Sequence, residues 1–471
     1  MDLSEVFHLS RNSSIHDLIP LTQIKSTCDI VAHSKNDYLI GYTVDEFTKT
    51  YPSIDPAKIF FSCGLTKTFY FDKVRHILFP IHLYGTEFLS AGGDTLESIV
   101  NKMVSDFDYR VQRRDYSIII VGLDDRMRME YFNMLIDDGV TEEVYKYFIE
   151  AYLQSDCGCD AVSHENMLKV LQTRTEDEKK AAAENVQTNL ACYEREVSIY
   201  RGQGSRSTPY LESWSWTTDV NIAHFFATRY GEDGSSVVVG KTTKDKIIDY
   251  IKNEKECLVS PHDIEIVEII NLHGLSWLEE KMTSYLIHMY QKYRELIIEE
   301  YEHDTVNMDH SMLHSARTLL LSLLLGSAYK LKHDEMTTLA LSAVFHDIGR
   351  DNDCIDDLHG KRSAEIFKWN HEAFVKEDKF AAFIIEYHCL DDMLGYEYIE
   401  THFQGCKRVA LLYNIFKDAD ALDRVRFGKD EDGLDVSYLR LGESRKMTLL
   451  AKMFLRQIKI EQQSEAYFHG V

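Results

Sequence analysis

The period of the apolar positions changes along the chain, and each change predicts a different kind of element. Over Thr141 to Val197 it is helical: TEEVYKYFIEAYLQ places apolar residues three or four apart, and EDEKKAAAENVQ is rich in strong helix formers. Between Val197 and about Leu272 the short apolar runs SIYRG, SVVVG and IEIVEII predict strands. After Leu275 helical spacing returns and holds to the end, with ARTLLLSLLLG as its most apolar stretch. Residues 1–140 mix short apolar segments with turns, and Ser117 to Leu123, SIIIVGL, is expected to be a buried strand. The pattern predicts an α+β multidomain chain with three parts: a mixed α/β region over 1–140, a strand-rich middle with a helical lead-in over 141–275, and an all-α half over 285–471.

Composition narrows the class. At 471 residues the chain is too long for one core and fits two or three domains. With 77 Asp and Glu against 52 Lys and Arg, the net charge of -25 argues against a general nucleic-acid binder and leaves room only for a local basic pocket. The opening MDLSEVFHLSRNSS lacks the basic-then-apolar order of a signal segment, and Leu319 to Leu325 is far too short to span a bilayer. Nine scattered cysteines predict neither a disulfide framework nor a four-cysteine zinc site, and Cys63 reads as a buried side chain. The expected setting is cytoplasmic and reduced, with no membrane; delivery by a specialised secretion route is compatible with it.

The helical half carries the first candidate chemistry. His310 and His314 lie four apart ahead of the apolar helix, with Arg317 one turn on; His346-Asp347 follows another apolar run, then come His359, His388, Asp418 and Asp420. Singly, each of these residues reads equally as a cap, a packed side chain or a solvated acid. As a set they are the nitrogen and oxygen donors that a divalent cation takes, and Arg317, Arg350 and Lys361 would neutralise phosphate charge.

The order HSAR, HDIGR, DADALD resembles the H…HD…D signature of the HD-domain metal-dependent phosphohydrolases, over roughly residues 300–430. The resemblance implies that His314, His346, Asp347 and Asp420 hold one divalent metal, that His359 and His388 supply a second site, and that Asp347 bridges the two. The spacing from His310 to Arg317, with FHD and DADALD, is also similar to the phosphodiesterase domain of SidE-type bacterial effectors. That likeness implies acid-base or phosphoenzyme chemistry at His310 with no required metal.

In the strand-rich middle, IYRGQG puts Arg201 at a strand end before glycines, Asp219 is placed to cap a helix, and Glu254 and Glu256 are two apart, which on a strand points both to one face. Arg201, then SWSWTTD, then EKECLV resembles the R-S-E order of the ADP-ribosyltransferases, over about Ser198 to Ile270. The resemblance implies an NAD contact set of Arg201, Ser215 and Thr217, with Glu256 stabilising the cationic ribose and Glu254 helping to activate the acceptor. The chain departs from a plain S-T-S signature at Ser213 to Thr217, and YRGQ is also similar to a ligand-binding, FRG-type branch.

The expected function is thus an HD-type phosphohydrolase or phosphodiesterase coupled to an NAD-using, ADP-ribosyltransferase-like module. The cofactors would be a divalent metal (Mn, Fe, Co, Ni or Mg) and NAD as a substrate. Its substrate would be a phosphate-containing small molecule or an ADP-ribosylated macromolecule, with a protein or nucleic acid as acceptor. Two alternatives stay open: an HD nucleotide phosphohydrolase whose middle only senses nucleotide, and a binding protein with degenerate sites. The roles of residues 1–140 and the oligomeric state are not set by the sequence.

Overall fold

The computed structural model describes residues 18–33, 43–62, 67–75, 77–81, 83–84, 87–88, 95–155, 162–204, 207–231, 233–301, 312–350, 354, 356–370, 378–428 and 433–457. His310 lies outside them. The chain divides into two compact units, residues 8–188 and 189–471.

The first unit pairs β1 (Ile19–Pro20), β2 (Ile59–Phe61), β3 (Thr68–Asp72) and β4 (Ile77–Ile81) as an antiparallel sheet in that order. A core of Leu21, Phe47, Ile59, Phe61, Tyr70 and Phe79 is buried around it. The expected strand Ser117 to Leu123 is instead helical up to Gly122, within Tyr116–Gly122, and Leu123 caps that helix. Its burial follows a helical stripe, Ile119 and Ile120 inside with Ile118 and Val121 outside, and Tyr116 packs edge-on against Tyr147. Tertiary packing thus overrides the β-branched composition. The helices expected to lead into the middle, Val144–Leu153, His164–Gln172 and Glu176–Asn189, belong with this unit, so the division falls near residue 188 instead of 140. Tyr145, Tyr147 and Phe148 turn their apolar rings into the first unit, which gives that stretch its partner.

The second unit starts with a six-stranded antiparallel sheet. Its strands are β5 (Glu196–Gln203), β6 (Ser215–Thr217), β7 (Ser236–Thr243), β8 (Ile247–Ile251), β9 (Glu256–Val259) and β10 (Glu265–Asn271). They run in the order β8-β9-β6-β5-β7-β10. Helix α1 (Val220–Thr228) lies on β5, and the absence of a side chain at Gly202 lets the strand approach the backbone of Ala223 and Ala227. Asp219 caps α1 as expected, accepting from the Asn221 amide at 2.8 Å.

The rest of the unit is helical. Helix α2 (Met312–Ala328) is its axis: every residue from His314 to Gly326 is buried, against α3 (His333–Phe345), α4 (Lys407–Leu422) and the preceding helix Ser284–Tyr301. Each fully buried leucine there contributes about 1.5–3 kcal/mol. The sharp boundary expected near residue 275 is not a boundary between cores. Ala223, Ala227, Val237 and Leu272 belong to the same hydrophobic cluster as the leucines of α2. Polar contacts cross it too: Asn221 donates to Asp435 at 2.8 Å, His224 meets Thr448 at 3.0 Å, and the His273 amide donates to Lys446 O at 2.8 Å.

Candidate metal centre

The candidate ligands sit at helix ends that point toward one another. His314 opens α2, His346 caps the C-terminus of α3 with Asp347 next, His359 opens the helix His359–Asn370, His388 caps the helix Lys379–Tyr387, and Asp420 lies in the last turn of α4. The turn carrying Asp347 is pinned to the helix His359–Asn370: Gly349 N donates to Ser363 Oγ at 2.9 Å, and a side chain at Gly349 would meet the Ser363 amide.

One device orients the histidines. A helix ends with carbonyls that have no partner of their own, and His346 and His388 each fold back so that Nδ1 donates to the carbonyl three residues earlier, Ala343 at 3.0 Å and Ile385 at 2.8 Å. His359 Nδ1 bonds Asp356 O, and His314 Nδ1 meets the Asp423 carboxylate at 2.7 Å. Carbonyls and carboxylates only accept, so all four Nδ1 atoms carry a proton, and in the neutral ring each Nε2 presents a lone pair.

Those lone pairs face each other. His314 Nε2 is 3.0 Å from His346 Nε2, and His359 Nε2 is 3.0 Å from His388 Nε2. Two nitrogens held about 2.1 Å from one cation at a right angle are about 3.0 Å apart. Asp347 stands between the pairs: Oδ2 is 3.6 Å from both His314 and His346, while Oδ1 is 3.2 Å from His359 and 3.5 Å from His388. Asp420 Oδ1 completes the first group at 3.2 Å from His314 and 3.9 Å from His346. Among the described residues, two groups could hold a metal ion: His314 with His346 and Asp347, and His359 with His388 and Cys389. The histidines and Asp347 are buried, whereas the Asp420 side chain is 31% exposed and marks the open side.

Electrostatics fit a centre that takes up positive charge. Burial raises the Asp420 carboxyl, but the hydrogen bond and charge of His314 outweigh it and hold it well below the usual range. Burial keeps His346 neutral, lowering it to about 3. Burial also opposes charge on His359, yet its contacts to Asp347 and Cys389 prevail and push it up to about 10. The negative field of the carboxylates is thus answered by protons or by cations.

Around this centre lies a support that the sequence pattern did not single out. Asp423 is buried and bonded by Arg317 Nε at 2.6 Å and Nη2 at 3.0 Å and by Arg426 at 3.2 Å, besides His314. Arg317 is therefore committed to Asp423 and does not face a phosphate; Arg350 lies 3.4 Å from Asp347, and Lys361 is exposed. Asp418 faces away from Asp420, accepting from Arg440 and the Leu441 amide at 2.9 Å. The only hint of Asp423 in the sequence is its place one turn after Asp420.

The strand-borne residues form a second, different constellation. Arg201 donates to Ser215 O at 2.8 Å and to Thr208 O at 3.0 Å, and the Ser215 hydroxyl bonds the buried Glu256 carboxylate. Thr217 donates to Glu254 O at 2.8 Å, so its hydroxyl serves the turn before β9. Glu254 and Glu256 do not share a strand face: Glu254 ends a 3-10 turn and is exposed, Lys255 takes a left-handed φ of 48°, and Glu256 begins β9. Three of the expected residues, Arg201, Ser215 and Glu256, are brought together, and Glu254 stands apart from them.

No protein-family model, curated protein or solved structure matches the chain.

Proposed function

We propose that the chain is a divalent-metal phosphohydrolase or phosphodiesterase of the HD type. The observation that carries this reading is the carboxylate of Asp347, whose two oxygens face two histidine pairs that each present opposed lone pairs at 3.0 Å. His314, His346, Asp347 and Asp420 would hold one cation, and His359, His388 and Asp347 another. Bound there, divalent cations supply Lewis acidity toward a phosphoryl group and make water acidic enough to attack near neutral pH. Two such ions bring four positive charges against the two carboxylates Asp347 and Asp420, a surplus that matches a phosphate dianion. The exposed edge of Asp420 gives the substrate its approach. Mixed imidazole and carboxylate donors suit Mn, Fe, Co, Ni or Mg, and availability selects among them.

Elemental analysis of dialysed protein, paired with assays of the hydrolysis products of ADP-ribose, nucleotides and a nitrophenyl phosphodiester, tests the reading. One or two ions per chain, lost with activity in Asp347→Ala, is the expected result. Cation-free protein that hydrolyses these esters equally well would move the assignment to metal-free phosphodiester chemistry.

A second reading joins an NAD-using module to the first. It is favoured by the meeting of Arg201, Ser215 and Glu256 on adjacent strands, where a fixed carboxylate would stand beside a developing ribose cation. Nicotinamide release from NAD, abolished in Glu256→Gln, is expected; the absence of turnover with retained NAD binding would leave a nucleotide-sensing role.

A further inference from the structure

Cys389 follows His388 directly, and its sulfur is directed to the His359–His388 pair. Sγ and a ring nitrogen of each histidine all lie within 4.8 Å of one another. The sulfur is seated against Gly360, where a Cβ would stand 2.9 Å from it, and 3.7 Å from Asp357 O. Each Nδ1 is bound to a carbonyl, so in the neutral rings the two Nε2 lone pairs face each other at 3.0 Å beside the thiol, and a cation or a proton between them relieves their repulsion. The thiol therefore stands beside a place that demands positive charge.

We infer that Cys389 is a further ligand of the cation held by His359, His388 and Asp347. This rests on reading the helical cluster as a metal centre. It makes the two cation positions chemically unlike. The His314, His346 and Asp420 position has only nitrogen and oxygen donors, while its neighbour adds a sulfur, which favours borderline cations such as Co²⁺, Zn²⁺ or Fe²⁺ over Mg²⁺. Binding there deprotonates the thiol and releases one proton to solvent.

The test is cobalt titration of the full chain, followed by absorption and by elemental analysis. Wild-type protein is expected to develop an intense near-ultraviolet sulfur-to-cobalt band, and Cys389→Ser and Cys389→Ala to bind cobalt with that band lost. As a measurement independent of the variants, bound cobalt is expected to protect Cys389 from iodoacetamide, read by peptide mass. Wild-type protein that holds two cobalt ions without the band, a band that persists in Cys389→Ser, or alkylation at an unchanged rate overturns this inference and leaves the metal centre standing. Wild-type protein that binds no cobalt overturns both.

Discussion

The helical cluster and the strand constellation differ in one respect that decides what each is built to do. In the strands, most of the groups that meet are paired with one another or with backbone: Arg201 donates to two carbonyls, Ser215 donates to Glu256, and Thr217 closes a turn. In the helical cluster, satisfying Nδ1 of four histidines leaves four Nε2 lone pairs and two carboxylates turned toward a common centre. Lone pairs and carboxylates that converge in a buried place repel one another unless a cation or protons stand among them. Internal satisfaction is compatible with a scaffold as well as with a site; convergent frustration points to a ligand.

The sharpest way to break this contrast is Asp347→Ala, the change that strips a carboxylate from both histidine pairs. Cation content is expected to fall, with phosphoester hydrolysis down by about 10²–10³-fold or more, as when a single electrostatic group is removed from a reacting site. Retained cations and unchanged turnover would end the metal assignment. Next in size is Asp423→Asn, which should weaken cation binding by about 10–100-fold through loss of His314 orientation. It should also cost about 3–5 kcal/mol, because Arg317 and Arg426 lose their buried partner. Calorimetric binding and urea unfolding separate the two effects.

Cation removal should act on one region only. At a hundredfold excess over Kd, a bound ion stabilises the fold by about 2.7 kcal/mol. A chelator should therefore lower the melting temperature of wild-type protein and of Glu256→Gln equally, and should leave Asp347→Ala unmoved. Equal sensitivity of Asp347→Ala would place the cation elsewhere.

The most gradual expected effect sharpens the seam between the regions. His224 is buried and its folded value is lowered to about 3, by burial first and then by Lys452 and Arg445. Below its ordinary value of 6.5 the unfolded chain binds a proton that the folded chain refuses. Stability should therefore fall from pH 6.5 toward 3, by at most about 1.4 kcal/mol per pH unit from this group. In His224→Gln that slope should be shallower by one proton in denaturant titrations at several pH values; an identical slope would show that His224 does not titrate in this way.

The strand block and the helical half were legible because their apolar periods differ and run long. His314, His346, Asp347, His388 and Asp420 stood out because each lies beside or within an apolar helical run, where a polar residue is out of place, and His359 only through the order of the motifs. Asp423 was not: its partners His314 and Arg317 are 109 and 106 positions away, and nothing local distinguishes it from a solvated acid. Glu254 was misplaced because Lys255, a non-glycine residue, takes the left-handed conformation that breaks the strand. SIIIVGL misled because β-branched composition describes a preference, whereas its neighbours are helices that bury one stripe of it.

The core that runs from Ala223 and Val237 into the leucines of α2 has a consequence for ancestry and dissection. Modules joined by a linker can be exchanged between genes or expressed alone. Here a cut near residue 275 would bare apolar surface on both pieces, so sheet and helices have to be inherited, folded and degraded as a single object.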